Sequence, residues 1–552
     1  MIELRFPNTP TPQHPNTSQM RDLFAREAIA QIPKILTLGD RNPHSPTYGC
    51  FDRNFWHYKI IDFPSGMAQE FVLPLALVYE TDAPENPYYR QAAIRDWVEA
   101  GILYAAKSAH KDGSCDDYFP FERAGGAAAF SLLAFVESYR RLGLQNDEII
   151  RFLVRRADWL AHHQESGRLT NHQALIVLCL ELLSRMLNTS HWDSAKAQRL
   201  EQVLSWQSTE GWFQEYEGCD PGYHTLTISC LAWLHRLIPD VRLKESLEKA
   251  VGLAAHFVHP DGSFGGEYTS RNTYNFFPYG FELAGQWMPE ALSINDRFLR
   301  GLANGKAPCY ADDHIIGHHT WNYLLAWQDF VPQRPAVDYR PKESLWLPEA
   351  KILVDRRGDT ELYLGLNKGG VFKLFRGDRL LLSDTQFSLQ VRQGRKLKNA
   401  VAHLVGRYDI HLEPDDITIQ GNLGWAKQKQ MTPLNLMILR VVMLTVGRFF
   451  PNLIRKLLQK MLIVGKKPAP FRFSRRLRWV GDGSTGRWHI TDELRADDWQ
   501  PVVKAGIGGD QTSIYVVMSR TFQAGQIQPW QDVTEQVRVL RPGEPLVVER
   551  EV

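Results

Sequence analysis

Two short pairs of polar residues stand where a proton could be exchanged with a bound ligand. Asn171-His172 and Tyr223-His224 each open a long apolar stretch, and Asn171 and Tyr223 are 52 positions apart (223 − 171). Tyrosine and histidine at the mouth of a helix can exchange protons with a ligand bound above it. We therefore predict Tyr223, His172, Asn171 and His224 as catalytic candidates.

Polar residues at comparable points precede other apolar stretches in the first 330 residues. Equivalent points of a repeat would lie on one rim of one cavity, which favours a binding site. Structural roles stay open as well, since Asn171 could cap a helix, and Glu122 and Arg123 could form an ion pair that holds two loops together. The predicted substrate-binding residues are Gln69, Glu122, Arg123, Arg271, Tyr274 and His318.

The elements that must position these residues are helices. From residue 20 to about residue 327, six aromatic or glycine-rich loops each lead into an apolar helix, with an amphipathic helix between consecutive copies. The period is near 50, since Tyr223 and Tyr274 are 51 positions apart (274 − 223). Two helices and two loops per unit predict an array of helical hairpins. Small residues at 125–129 favour closure into an (α/α)6 toroid over 21–330, and an open solenoid is the alternative.

The pattern changes after a proline-rich linker at 331–348. From 349 to 552, apolar and polar residues alternate between short glycine-containing turns, which is typical of antiparallel strands. The predicted fold class is therefore α+β and multidomain, with an N-terminal (α/α)6 toroid followed by a C-terminal antiparallel β-sandwich. Residues 1–20 are polar and proline-rich, and we expect them to be flexible.

A basic and apolar segment interrupts the β-domain at 432–467. Its period is helical, but Arg440, Arg448 and Pro451 interrupt the run of about 20 apolar residues that a membrane span needs. Two interpretations stay open. The segment is either a helical insertion packed against the sheet, or it lies in a membrane interface and gives peripheral membrane contact through 432–478.

The composition limits which partners the protein is expected to bind and where in the cell it is expected to lie. A formal net charge of +2 gives no argument for binding nucleic acid. The six cysteines are scattered without a CxxC pair, so we expect neither a disulfide framework nor a metal site, and no cofactor. The N-terminal residues lack the apolar core of a secretory signal, which predicts a cytoplasmic protein, peripheral at the inner membrane face if the 432–478 segment binds lipid.

The layout and the motifs together resemble the heparinase II/III-like and alginate-lyase-like polysaccharide lyases. The resemblance rests on helical hairpins followed by sheets, and on Asn171-His172 followed one repeat later by Gly222-Tyr223-His224. It implies β-elimination at uronic acid residues of an acidic polysaccharide or oligosaccharide, which could belong to exopolysaccharide metabolism. It also implies that Tyr223 acts as base, acid or both, and that Asn171 and His172 bind the uronate carboxylate.

The chemistry of elimination sets two requirements. The proton at C5 becomes acidic enough only if the neighbouring carboxylate charge is offset by hydrogen bonds. A tyrosine with an ordinary pKa near 10 needs a cationic neighbour to act as a base, and either His224 or Arg271 could supply it.

The sequence departs from the resembled family in two respects. Active lyases of this family commonly bring a histidine, often with a structural metal, from the first strands of the β-domain. The comparable stretch here has Ser383 and Asp384 without a histidine. Such lyases are also usually exported. Either the helical domain supplies the acid, for which His318 is the candidate, or the protein binds glycans without cleaving them.

Other functions stay open beside the lyase. A glycoside hydrolase on the same toroid would use paired carboxylates. A non-catalytic glycan-binding or biosynthesis-accessory protein would need no turnover. Terpene cyclases also use helical toroids, but the sequence has no DxDD acid motif. The carboxylates available to a hydrolase are Asp116, Asp117, Glu122, Asp312 and Asp313.

Overall fold

A computed structural model describes residues 17–165, 167–216, 218–306, 308, 315–426, 432–454, 467–482, 485–509 and 530–552. Helices fill most of the chain before residue 330, and antiparallel strands fill most of the rest. The predicted α+β class is therefore confirmed. Asp312 and Asp313 lie outside the described residues.

The helices alternate between an inner and an outer set. The inner helices are α4 (Val72–Glu80), α6 (Gly125–Arg141), α8 (Thr170–Leu187), α10 (Pro221–Leu237), α12 (Tyr279–Ala284) and α14 (Ile315–Gln328). The outer helices are α5 (Ala92–Ser108), α7 (Asp147–His162), α9 (Asp193–Ser205), α11 (Val241–Ala254) and α13 (Pro289–Ala303). Before them come α1 (Thr17–Ile29), α2 (Ile32–Leu38), α3 (Arg53–Trp56) and a 3-10 turn (Met67–Phe71).

The inner helices contact each other in a closed cycle. Each packs against the next in chain order, and α14 packs against α4. The outer helices pack against the inner helices that precede them. Residues 125–138 of α6 are all buried, whereas α7 buries a stripe at helical spacing, as an inner and an outer helix should. Because each outer helix returns the chain, the inner helices begin at the same end, which we call the rim.

The strands form two antiparallel sheets. The five-stranded sheet contains β3 (Leu345–Leu347), β4 (Ile352–Arg357), β5 (Thr360–Gly365), β6 (Val371–Arg376) and β7 (Arg379–Asp384) in chain order. The nine-stranded sheet runs in the order β15-β14-β8-β9-β11-β12-β13-β16, with β10 beside β11. Its strands are β8 (Phe387–Gln393), β9 (Lys396–Val401), β10 (Asp409–Glu413), β11 (Asp416–Trp425), β12 (Pro468–Val480), β13 (Arg487–Ala496), β14 (Val502–Ile507), β15 (Gln531–Asp532) and β16 (Leu546–Glu551). A short helix α16 (Thr534–Arg538) precedes β16.

The side chains of β5 and β6 point alternately into two hydrophobic cores, so the five-stranded sheet lies between these cores. Leu364 and Phe372 face the nine-stranded sheet, whereas Tyr363 and Phe375 pack into the core formed with the helices. Side chains on successive strand positions point to opposite faces, so Lys373 also faces the helices. The layers are therefore helices, five-stranded sheet and nine-stranded sheet.

Two predicted boundaries differ from the structure. Helix α1 begins at Thr17, inside the segment 1–20 that we expected to be flexible, because Phe24 buries itself against Tyr323 of α14. Strand β3 lies inside the predicted linker 331–348, because its three residues pair with β4.

The basic and apolar segment begins with helix α15 (Pro433–Val442), which continues into a π-helical turn (Met443–Gly447). Arg440 of this helix pairs with Asp62 at 3.0 Å and lies 5.2 Å from the centre of the Phe63 ring. These contacts anchor the segment to the loop before α4. Within the described part of the chain, no helix combines the length and the apolar character needed to cross a bilayer.

Strand β12 carries two successive arginines on opposite faces. Arg475 is buried, and its guanidinium binds both oxygens of Asp492 at 2.6 and 2.8 Å and lies 2.9 Å from Asp384. Burial acts to raise the pKa of Asp384, but Arg475 and Arg550 outweigh it and hold that pKa below its usual range. Arg476 binds Asp416 at the surface.

We expect Arg475→Ala to lower the free energy of unfolding by about 3 kcal/mol, because it leaves two buried carboxylates with Arg550 alone. Arg476→Ala, the matched control, should leave stability nearly unchanged, because its ion pair is exposed. Urea unfolding followed by circular dichroism measures both. Equal effects of the two substitutions would contradict the assigned burial.

Candidate active site

A helix cap holds Tyr223 at the mouth of α10. Asp220 accepts a hydrogen bond from the Tyr223 backbone N–H at 3.0 Å, and Pro221 occupies the first turn, which together fix where the helix begins. Asp220 also accepts a hydrogen bond from the Thr273 hydroxyl. The Tyr223 side chain is partly exposed. The cap therefore places the phenol at the rim, beside the loop that carries Arg271.

Arg271 is the cation beside Tyr223. Its guanidinium carbon lies 4.4 Å from the centre of the Tyr223 ring and 4.7 Å from that of Tyr216. One of its nitrogens is 3.9 Å from Oε2 of Glu215. Burial raises the pKa of Tyr223 to about 12, and the charge of Arg271 counteracts part of that rise. Tyr223 is therefore a neutral phenol at pH 7, held against a guanidinium that favours its ionised form.

Asn171 is joined to Arg271 through Glu215. The buried Glu215 carboxylate accepts hydrogen bonds from the Asn171 backbone N–H at 3.0 Å and from its side-chain amide at 2.7 Å. Burial raises the pKa of Glu215 to about 7, against the opposing effects of Arg271, the Asn171 donors and His172. Among the described residues, no group binds Oδ1 of Asn171. Asn171, Glu215, Arg271 and Tyr223 thus form one continuous set of contacts across the mouths of α8 and α10.

Two glycines make room for His172. Nδ1 of His172 is 2.7 Å from Glu165, whose other oxygen accepts the Gly126 N–H at 3.2 Å. A Cβ atom would lie 2.5 Å from the His172 ring at Gly126 and 2.8 Å from the Glu165 carboxyl carbon at Gly125. Glu165 therefore fixes Nδ1 as a proton donor and leaves Nε2 for a ligand. The His172 side chain is 19% exposed, so a ligand can reach it.

His224 is directed away from this cluster. Its Nε2 lies 2.9 Å from the Ala250 carbonyl oxygen on α11, and its ring packs against Phe213. Burial lowers the pKa of His224 to about 4, so the imidazole is neutral at pH 7. The expectation that His224 could act at the mouth is corrected, because an uncharged ring facing the outer helix cannot supply the cation.

Three predicted binding residues hold loops in place. The Gln69 side-chain amide accepts a hydrogen bond from the Phe51 backbone N–H and donates to the carbonyl oxygens of Gly49 and Gly101. Glu122 accepts hydrogen bonds from two loop N–H groups, at 2.7 and 3.3 Å. Arg123 pairs with Asp112 at 2.7 Å rather than with Glu122. The structure does not bring these side chains to the Tyr223 cluster.

Tyr274 and His318 lie in two separate buried groups. The Tyr274 hydroxyl donates to Glu267, whose carboxylate is 3.4 Å from the Lys373 ammonium on β6. His318 is 5% exposed, lies 2.6 Å from Glu70 and stacks on Phe130 at 3.8 Å. Phe130 also meets the His172 ring edge-on at 6.1 Å. His318, in the first turn of α14, is therefore buried and separated from His172 by one aromatic ring.

Neither a family model nor a curated protein matches the sequence, whereas solved structures do. One is a xanthan lyase. This Paenibacillus protein is 10% identical, with a TM-score of 0.49 over 88% of this chain, and the chain spans 46% of its length. A heparan sulfate lyase from Pedobacter heparinus is 11% identical, with a TM-score of 0.42 over 91% of this chain and 71% of its own. An unsaturated glucuronyl hydrolase from Streptococcus agalactiae is 9% identical, with a TM-score of 0.38 over 58% of this chain and 93% of its own. The matches thus include heparinase-like polysaccharide lyases, the family that the sequence resembles.

Sequence reasoning missed the acidic partners of the cluster. The sequence places Glu215 in an acidic turn, but Glu215 contacts Asn171 across 44 residues of chain, and no local sequence pattern predicts such a contact. Gly125-Gly126 was the available signal for Glu165, because paired glycines at a helix mouth mark the close approach of another group. Within the described ranges, no cluster of three or more His, Cys, Asp or Glu residues could hold a metal ion.

Proposed function

We propose that the protein is a polysaccharide lyase that cleaves an acidic polysaccharide by β-elimination at uronic acid residues, built on an (α/α)6 toroid with an attached β-sandwich. The observation that carries the proposal is the contact between the Arg271 guanidinium and the Tyr223 ring, in a cluster with Asn171 and His172. A phenol beside a fixed cation is suited to proton transfer, and an amide beside an imidazole is suited to binding a carboxylate.

In the proposed complex, the uronate carboxylate is bound by His172 and Asn171. Glu165 holds Nδ1 of His172, and Nε2, when it also carries a proton, donates a hydrogen bond to the substrate carboxylate. The Asn171 amide has two N–H bonds, of which Glu215 accepts one. Asn171 is buried in the free protein, so the proposed complex requires the loop above it to move before the second N–H reaches the substrate carboxylate. Both donors offset the carboxylate charge, which makes the C5 proton more acidic.

Tyr223 then carries both proton transfers. Its phenolate, stabilised by Arg271, takes the C5 proton, and the electrons of the C5–H bond form the C4–C5 double bond. The C4–O bond breaks, and the tyrosine returns its proton to the departing sugar oxygen. Atoms and charge balance without water or a second acid. A histidine from the β-domain is not required in this scheme, and neither is the buried His318.

The hydrolase alternative lacks support from the described carboxylates. Asp116 accepts hydrogen bonds from the N–H groups of Phe121 and Arg123, and Asp117 accepts one from the Ser65 hydroxyl at 2.6 Å. Glu122 is likewise bonded to loop backbone. Asp117 and Glu122 hold the loops before α4 and α6 together. Asp116 lines a cavity of about 300 Å³, but both of its oxygens are already engaged by loop N–H groups and by His110 at 2.9 Å.

The purified protein should release ultraviolet-absorbing unsaturated uronate ends from a member of a panel of uronate polysaccharides. Absorbance and reducing ends are measured in the same reaction. Reducing ends without absorbance would favour a hydrolase. Glycan binding with neither product on any polymer of the panel would favour the accessory protein and contradict the lyase.

A further inference from the structure

The segment 434–453 exposes an unusual number of large apolar side chains. Of the 22 large apolar side chains exposed in the described part of the chain, ten fall in these 20 residues. Isolated exposed apolar residues are ordinary, but a contiguous group marks a surface that is covered by something else. The ten are Leu434, Leu436, Met437, Ile438, Val441, Leu444, Val446, Phe449, Phe450 and Leu453.

Helix α15 is oriented with its apolar face outward. Leu434, Met437, Ile438 and Val441 follow the i, i+3, i+4, i+7 spacing of one helix face, and each is more than half exposed. The protein-facing side carries Arg440, which pairs with Asp62, together with the half-buried Leu439 and the buried Met443 of the following turn. A helix of a water-soluble surface normally has the reverse arrangement. The outward apolar face is therefore adapted to an apolar surrounding.

The charge of the neighbouring sequence indicates what kind of surface covers this apolar face. The whole chain has 64 Lys and Arg against 62 Asp and Glu. From residue 417 to residue 481 it has 13 Lys and Arg and no Asp or Glu; of these, Arg475 is buried, and Arg440 and Arg476 pair with carboxylates outside this range. Within the apolar segment, Arg448 is exposed beside Phe449. Apolar side chains flanked by basic ones, without acidic ones, match the interface of an anionic bilayer.

The segment lies at the rim of the helical domain. Arg440 contacts Asp62 and Phe63 in the loop that precedes α4, and the same loop exposes Tyr58 and Ile60. Leu444 lines a cavity of about 300 Å³ together with this loop and the loop before α6. The surface around 434–453 therefore faces the same side as the mouths of the inner helices.

We infer that the protein docks on an anionic lipid surface through the apolar face of 434–453, with its rim towards the bilayer. The helix lies in the interface plane, and its apolar side chains enter the boundary between head groups and acyl chains. The basic residues of the flanking sequence bind the head groups. Docking in this orientation brings the Tyr223 cluster to glycans held at the membrane surface.

The test is sedimentation of the full-length protein with vesicles of phosphatidylcholine, with and without phosphatidylglycerol. The protein should sediment with the anionic vesicles, less with the neutral ones, and less at raised salt. A Met437→Glu/Val441→Glu variant should bind anionic vesicles about tenfold more weakly or worse, since both carboxylates would enter the interface. Phe449→Glu/Phe450→Glu should weaken vesicle binding to a similar extent, because these residues lie in the turns that follow α15.

The matched control is Val241→Glu/Val539→Glu, which makes the same chemical change at two exposed residues elsewhere. It should bind as the unaltered chain does, and circular dichroism should show that all variants are folded. Unchanged vesicle binding by both pairs of variants in 434–453 would overturn the proposal. Absence of vesicle binding would also overturn it. In that case, dimers in size-exclusion chromatography that the same variants dissociate would assign the face to a second copy of the chain.

Discussion

Tyr223→Phe is expected to lower kcat/KM on an accepted uronate polymer by about 10⁴-fold, because one hydroxyl carries both proton transfers of the elimination. KM should change little, since the aromatic ring and its contact with Arg271 remain. The rate of appearance of unsaturated ends measures the effect. For the unaltered protein, raising the pH increases the fraction of Tyr223 that is phenolate, so kcat/KM should rise with pH until His172 loses the proton that binds the substrate carboxylate.

Tyr216→Phe is the matched control for this prediction. Tyr216 supplies the second ring beside the Arg271 guanidinium, so the substitution removes the same atom from the neighbouring side chain of the same cluster. We expect less than about a tenfold loss of kcat/KM, because Tyr216 carries no proton in the proposed reaction. Equal losses for the two tyrosines would show that the hydroxyl of Tyr223 has no special role.

The sequence contained enough information to bring Asn171 and Tyr223 to adjacent helix mouths but not to orient every residue there. A period near 50 puts Asn171 and Tyr223 in adjacent hairpins, and adjacent inner helices must begin side by side if the array closes. Their convergence follows from that repeat. Neighbouring helical positions point about 100° apart, however, so Tyr223 and His224 could not both face the mouth. Which of these two side chains faces the mouth depends on Asp220, because this residue caps α10 and so sets where the helix begins.

Contacts between distant segments could not be predicted in the same way. Glu215 reaches Asn171, and Lys373 reaches Glu267, through loops whose paths depend on the whole ring and on the packing of a sheet against it. The outward orientation of α15 was also beyond the sequence pattern, because an amphipathic period fits an apolar face turned either way. The predicted cytoplasmic location stays a prediction.

Arg271→Ala is expected to lower kcat/KM by about 10³-fold, because it removes the positive charge that stabilises the Tyr223 phenolate. The loss should appear in kcat more than in KM, since the carboxylate-binding pair Asn171-His172 is left in place. Arg271→Lys should recover only part of the activity, because an ammonium retains the charge but is too compact to contact both tyrosine rings as the guanidinium does.

A charge effect and a packing effect of Arg271 can be separated by adding the missing group from solution. Guanidinium ion at concentrations too low to unfold the protein should restore activity to Arg271→Ala, because the cavity left between Tyr216 and Tyr223 fits its planar cation. It should not restore activity to Tyr223→Phe, which lacks the group that the cation acts on. Rescue of neither variant, with both folded, would mean that Arg271 serves to hold the loop at α10 and that another residue activates the tyrosine.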